Sequence, residues 1–148
     1  MVFFPDAYTY APVTPFTDSS DGKVYIYAIA HAALTAKTPY LIYVNEYGNV
    51  TAAPSAIAVY TYVAVPNDTI ASGALAKLQI GGYISGLITP SLSIAVGHAL
   101  EMTGGAVADS GVDFTGLAGE FASCVDATTS ETTANVILCG RMILTKAS

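Results

Sequence analysis

The chain has 148 residues, a size that buries one core and makes a second domain unlikely on length alone. Asp, Glu, Lys and Arg together make up 11% of it against 53% hydrophobic residues, so neutral and apolar side chains must form much of its surface. A typical soluble domain carries about 25% charged residues. The net charge of −6, with the five basic residues Lys23, Lys37, Lys77, Arg141 and Lys146 scattered along the chain, excludes a positive stripe for nucleic-acid phosphates.

In chain order, residues 1–22 read as an extended N-terminal arm and residues 23–148 as a single β domain. In the arm, Pro5, Pro12 and Pro15 separate Phe3, Phe4, Tyr8, Tyr10 and Phe16, ahead of the polar "TDSSDG". Proline fixes an extended path, and aromatics on such a path are costly to leave in water. The arm therefore docks, either on a neighbouring subunit or on its own domain. "MVFFPDAYTY" has no basic n-region and no long apolar h-region, so it does not read as a secretory signal.

From Lys23 onward the apolar period is near two, as in "KVYIYAIAH", "TPYLIYV" and "AIAVYTYVAV". These segments predict strands. Turn signals stand between them at "NEYGN", "VPND", Gly81–Gly82, Thr89–Pro90, "TGG" at Thr103 to Gly105 and "DSG" at Asp109 to Gly111. The fold class expected is all-β, a small antiparallel barrel or sandwich with little helix. The one helical candidate is "DTIASGALAKL", with Asp68 or Thr69 as cap and Ala74 to Leu78 as its body, weakened by Ser72 and Gly73.

"LQIGGYISGLITPSLSIAVGHAL", Leu78 to Leu100, contains no charged residue apart from the titratable His98. Its length suits a membrane span, but helix breakers at this density would free backbone groups that lipid cannot satisfy. It reads instead as several short strands divided at Gly and Pro, with one side toward the core and the other toward neighbouring protein. "YAIAHAALT" and "IAVGHALEM" echo each other over nine residues, too short a match to establish a repeat.

Chemistry-bearing constellations are scarce. His31 and His98 are the only histidines, and Glu101, three residues beyond His98, points to the opposite face of a strand. No metal or cofactor is expected. "VADSGV" has the Asp-Ser/Thr-Gly form that aspartic proteases use, and "VILCGRMIL" resembles their late apolar-Gly-Arg element. Only about thirty residues separate Asp109 from Gly140, too few for the intervening flap and strands of that family. No phosphate loop, nucleophile elbow or zinc spacing appears, so no enzymatic activity is expected. Cys124 and Cys139 flank a polar hairpin, where a disulfide is geometrically possible and two free, largely buried thiols are the favoured reading. The i, i+2 pairs Tyr8/Tyr10, Tyr25/Tyr27 and Tyr60/Tyr62 each share a strand face, suited to core or interface packing and, as an alternative, to stacking on sugar rings.

The C-terminal half resembles head decoration, or capsid cement, proteins of tailed bacteriophages. The features that carry the resemblance are "VGHALE" at Val96 to Glu101, the Gly turn at Gly104 to Ala106, Gly119 to Asp126, and "VILCGR" at Val136 to Arg141. The resemblance implies a β-barrel-like, typically trimeric protein on the outer surface of an expanded capsid, made in the host cytoplasm. Its partners would be the major capsid protein and itself, with no direct nucleic-acid or membrane contact. A tail or other virion β-protein and a carbohydrate-binding module are the alternatives. Expected contact residues are Phe3, Phe4, Tyr8, Tyr10, Phe16, Tyr60, Tyr62 and Arg141. Arg141 would either pair with Asp126 or Glu120 or stand exposed.

Overall fold

The computed structural model describes residues 15–30, 32–44, 50–53, 62–103, 106–115 and 119–140. Among them are ten strands and no helix, which fulfils the all-β expectation. The strands are β1 (Phe16–Thr17), β2 (Val24–Ala30), β3 (Tyr40–Val44), β4 (Val50–Ala53), β5 (Tyr62–Ala64), β6 (Leu75–Leu92), β7 (His98–Thr103), β8 (Ala106–Asp113), β9 (Glu120–Cys124) and β10 (Glu131–Cys139). They pair in the order β5-β3-β4-β2-β6-β10-β9-β7-β8, and β1 adds to β2. This path has two ends, so the sheet is not closed into a barrel and is sandwich-like. A lone bridge between Val65 and Gln79 fastens the β5 end back against β6. All pairings are antiparallel except β2 with β4, where Ile29 and Ala30 face Thr51 and Ala52 in parallel.

β6 is the spine. Its first half supplies Ala76, Leu78 and Ile80 to one apolar cluster, together with Ile26, Ala28 and Ala30 of β2. Its second half supplies Ile84 and Leu87 to another, with Leu100, Val107, Phe121, Val136 and Leu138. β3 and β5 stand between the two. Tyr40, Ile42 and Ala64 face the first cluster, while Leu41, Val63 and Val65 face the second. Alternate side chains point to opposite faces of a strand, so a strand buried on both sides joins two cores.

Three expectations are corrected here. The segment proposed as a helix body, Ala74 to Leu78, runs into β6 with Leu75 and Lys77 outward and Ala76 and Leu78 inward. Antiparallel pairing with Ile26 to Ile29 of β2 overrides the modest helix preference of its alanines. The Gly81–Gly82 and Thr89–Pro90 turns do not divide the neutral stretch, because β6 continues for 18 residues through both. Register irregularities absorb them. Ile80 is an extra residue opposite the Val24–Tyr25 step, and Pro90, which has no N–H to donate, lies where β6 runs longer than β10 between Ile88 and Leu92. The "DSG" turn is likewise an irregularity within β8, between the pairs His98–Asp113 and Leu100–Asp109. Among the described residues no helix is long and apolar enough to cross a membrane.

Candidate functional site

Two surface regions carry the side chains of interest. The first is built on β1, β2 and the start of β6. Phe16 pairs opposite Tyr25, and its ring stacks on Tyr25 at 6.1 Å and on Tyr27 at 5.2 Å between centroids. The Lys77 ammonium lies 4.3 Å from the Tyr25 ring centroid and 5.9 Å from that of Phe16. Lys77 reaches this position because it pairs with Tyr27 across β6 and β2, and its Nζ is 2.5 Å from Asp18 Oδ2. The cation is thus held over two rings by a carboxylate. The turn leading into β2 is tied locally: Ser20 donates through N and Oγ to Asp18, Lys23 N donates to Asp21, and the Tyr25 hydroxyl donates to Asp21.

These contacts set the titration of the group. The hydrogen bond from Lys77 holds the Asp18 carboxyl well below the usual carboxylate range and raises the Lys77 ammonium. The Tyr25 hydroxyl lowers Asp21. Burial first, and then the Asp21 carboxylate, push the Tyr25 phenol from 10.0 up to about 12. Because the folded phenol holds its proton more tightly than the unfolded one, this stabilisation is present below pH 10 and is lost as pH rises to about 12. The Cζ chemical shift of Tyr25 should therefore titrate after those of exposed tyrosines, and Tyr25→Phe should flatten the alkaline limb of the stability profile. Ionisation of Tyr25 together with exposed tyrosines would contradict this geometry.

Of the contact residues expected from the sequence, Phe16 lies in this cluster and is half-buried by its own chain. Tyr62 is also half-buried, packed against the β2–β6 cluster, and burial pushes its phenol up. Phe3, Phe4, Tyr8, Tyr10, Tyr60 and Arg141 lie outside the described residues. The Tyr25/Tyr27 row does not offer an open stacking platform, since Phe16 occupies the place a sugar ring would take.

The second region was not anticipated residue by residue. On the outer face of the β6–β10 pair, Tyr83 stands directly across from Ile137, and Ile88 across from Thr133. Tyr83 is 45% exposed, Ile88 40% and Ile137 51%. Their inward neighbours Ile84, Leu87, Val136 and Leu138 fill the core, so the outward set follows from strand alternation. The signal was legible in "GYISGLI" and "NVILC", where two apolar residues in succession force one of them outward. Gly86, at φ 76°, makes a bulge here, and Asn135 accepts from its N–H at 3.0 Å while donating to Asp126.

The polar residues weighed for chemistry are engaged in local contacts. His98 Nδ1 lies 3.1 Å from Asp109 Oδ1, and the same carboxylate oxygen accepts from Gly111 N–H at 2.9 Å. The buried Glu120 accepts from the N–H and hydroxyl of Thr115. Among the described residues no group of three or more His, Cys, Asp or Glu side chains converges as metal ligands do. β9 and β10 pair with Cys124 opposite Val136, which leaves Cys139 three residues further along. Neither thiol is in a disulfide, and Cys124 is buried and Cys139 half-buried, in line with the favoured reading of the sequence. Burial pushes the Cys124 thiol up.

No protein-family model matches the chain, and no curated protein matches it. Among solved structures it is similar to the N base of head fiber gp8.5 in bacteriophage phi29, at 14% sequence identity and a TM-score of 0.52. The likeness covers 80% of this chain and 96% of that one. The sandwich-like sheet described above is therefore a fold that this chain shares with a bacteriophage head protein.

Proposed function

We propose that this chain is a structural protein of a bacteriophage head, which binds the outside of the expanded capsid shell as a homotrimer and braces it. The observation that carries the reading is the shared fold with the phi29 head fiber base, over nearly the whole of that chain. The surface chemistry supports it. Exposed apolar side chains on a sparsely charged exterior suit a part that is covered in use. The described basic residues are not gathered for nucleic acid: Lys77 is committed to Asp18, and Lys37 donates to Asn67. Bracing in this reading needs no catalytic group. Copies joined in a trimer engage several capsid sites at once, and effective concentration turns individually weak contacts into a lasting one. The major capsid protein is the partner proposed for Phe3, Phe4, Tyr8 and Tyr10, on the N-terminal arm.

The test is co-sedimentation of the purified protein with expanded and unexpanded shells of its phage, as the full chain and with residues 1–14 removed. That truncation keeps the Phe16 stack, so it leaves β1 in place. Saturable binding to expanded shells, in amounts comparable to the major capsid protein and weakened by the truncation, is the expected result. Absence of binding to expanded shells would overturn the proposal.

A further inference from the structure

We propose that the outer face of the β6–β10 pair, centred on Tyr83, Ile88 and Ile137, is the surface through which copies of this chain pack against one another. The inference rests on the homo-oligomer proposed above and names its contact surface.

The occupant follows from charge. The chain carries −6, with 11 acidic residues against 5 basic ones, so two copies approaching through arbitrary surfaces repel. From Leu78 to Leu92 on β6, and from Thr132 to Cys139 on β10, no residue is acidic or basic. This face is where like chains meet without opposing charges. Its make-up is that of an interface core with a polar margin: the apolar trio is flanked by Ser85, Thr133 and Asn135, and Asp126, held by the Asn135 amide, stands at the edge. A charged capsid epitope would find nothing here to select it by.

Pairing along the bulged part of the β8 edge is disfavoured by contrast. β8 ends the pairing path, but its Gly111 N–H is taken by Asp109 and its Val112 N–H by Ser110 Oγ. A bulged stretch whose donors are taken by its own side chains is a poor template for another strand.

Area sets the strength. A stable interface buries about 800 Å² per partner, more than three partly exposed side chains offer. Association through this face is accordingly concentration-dependent in solution and strengthens where copies are gathered.

The experiment is sedimentation velocity of the full chain over a wide concentration range, as wild type, Ile137→Asp and Ile137→Thr, each checked by its circular dichroism melt. Wild type should rise in mass with concentration. Ile137→Asp should raise the midpoint concentration at least about tenfold, with Ile137→Thr between them, because burying an unpaired carboxylate opposes contact. A wild type that stays monomeric throughout, or an Ile137→Asp chain that associates like wild type, would overturn the inference. Shell binding of the same variants separates the two readings. Lost shell binding with intact self-association for Ile137→Asp would assign the face to the capsid and overturn it as a copy–copy surface. Self-association lost in Ile137→Asp, in a wild type that never binds shells, would uphold the face and sink the capsid reading.

Discussion

Phe121→Ala is expected to lower the free energy of unfolding by about 3–5 kcal/mol, the usual range for emptying a buried aromatic site. Phe121 is 1% exposed and is the largest of the fully buried side chains among the described residues. It reaches the core through an irregularity. β7 advances one residue from Leu100 to Glu101 while β9 retreats two, from Ala122 to Glu120, so Phe121 is the extra residue. That bulge lets Phe121 and Ala122, neighbours that strict alternation would send to opposite faces, enter the same cluster. Leu100, Ile94 and Val107 of the same cluster belong to three different segments, each held by its own pairing, which limits collapse into the vacated volume. Urea denaturation should show a lower midpoint at unchanged slope. With total stabilities of about 5–15 kcal/mol for a domain, this one change approaches the margin. A loss below about 1 kcal/mol would mean that the site closes up, or that Phe121 is not packed as described.

Gly81→Ala should destabilise by about 1–3 kcal/mol, although the same substitution at an unstrained, open position stabilises by about 0.4–1 kcal/mol through the unfolded chain. The sign turns on space. Gly81 is opposite Val24 on one side and Cys139 on the other, where β2 and β10 both meet β6. A Cβ there would sit 3.0 Å from Gly140 Cα and 3.0 Å from Val24 Cβ. The Gly140 backbone has little room to retreat, since its N–H donates to Ile80 O at 2.8 Å. Relief would have to come from strand separation at the junction of the two clusters. Ser85→Ala, on the exposed face of the same strand, is the matched control and should change stability by less than about 0.5 kcal/mol. Equal or higher stability of Gly81→Ala in urea would refute the close approach.

Several elements were legible before any coordinates. "KVYIYAIAH" alternates, and β2 indeed sends Ile26, Ala28 and Ala30 inward and sets Tyr25 and Tyr27 under Phe16. The polar "TTSETT" between "EFASC" and "ANVILC" marked the β9–β10 pairing. The neutral stretch from Leu78 was expected to face the core on one side and neighbouring protein on the other. Its inward residues Leu78, Ile80, Ile84, Leu87 and Ile94 occupy the clusters, while Tyr83, Ile88 and Val96 remain exposed. Apart from the helix expected at Ala74 to Leu78, the misreadings share one origin. Gly81–Gly82, Thr89–Pro90 and Asp109–Gly111 were read as punctuation, and all three lie inside strands.

What the sequence determined by itself is therefore the strand class, the inward set of regularly alternating strands such as β2 and the low-charge exterior, because alternation and side-chain polarity act over two or three residues. Only the tertiary structure decided whether a Gly or Pro ends a strand or bulges it. Gly111 at φ 79° suits a turn and a bulge equally, and the choice falls to β7, which continues alongside and keeps β8 extended. The parallel contact of β2 with β4, the division into two cores and the meeting of Tyr83 with Ile137 are set in the same way. Each joins segments distant in sequence, and their register comes from which faces can be buried together rather than from any local preference.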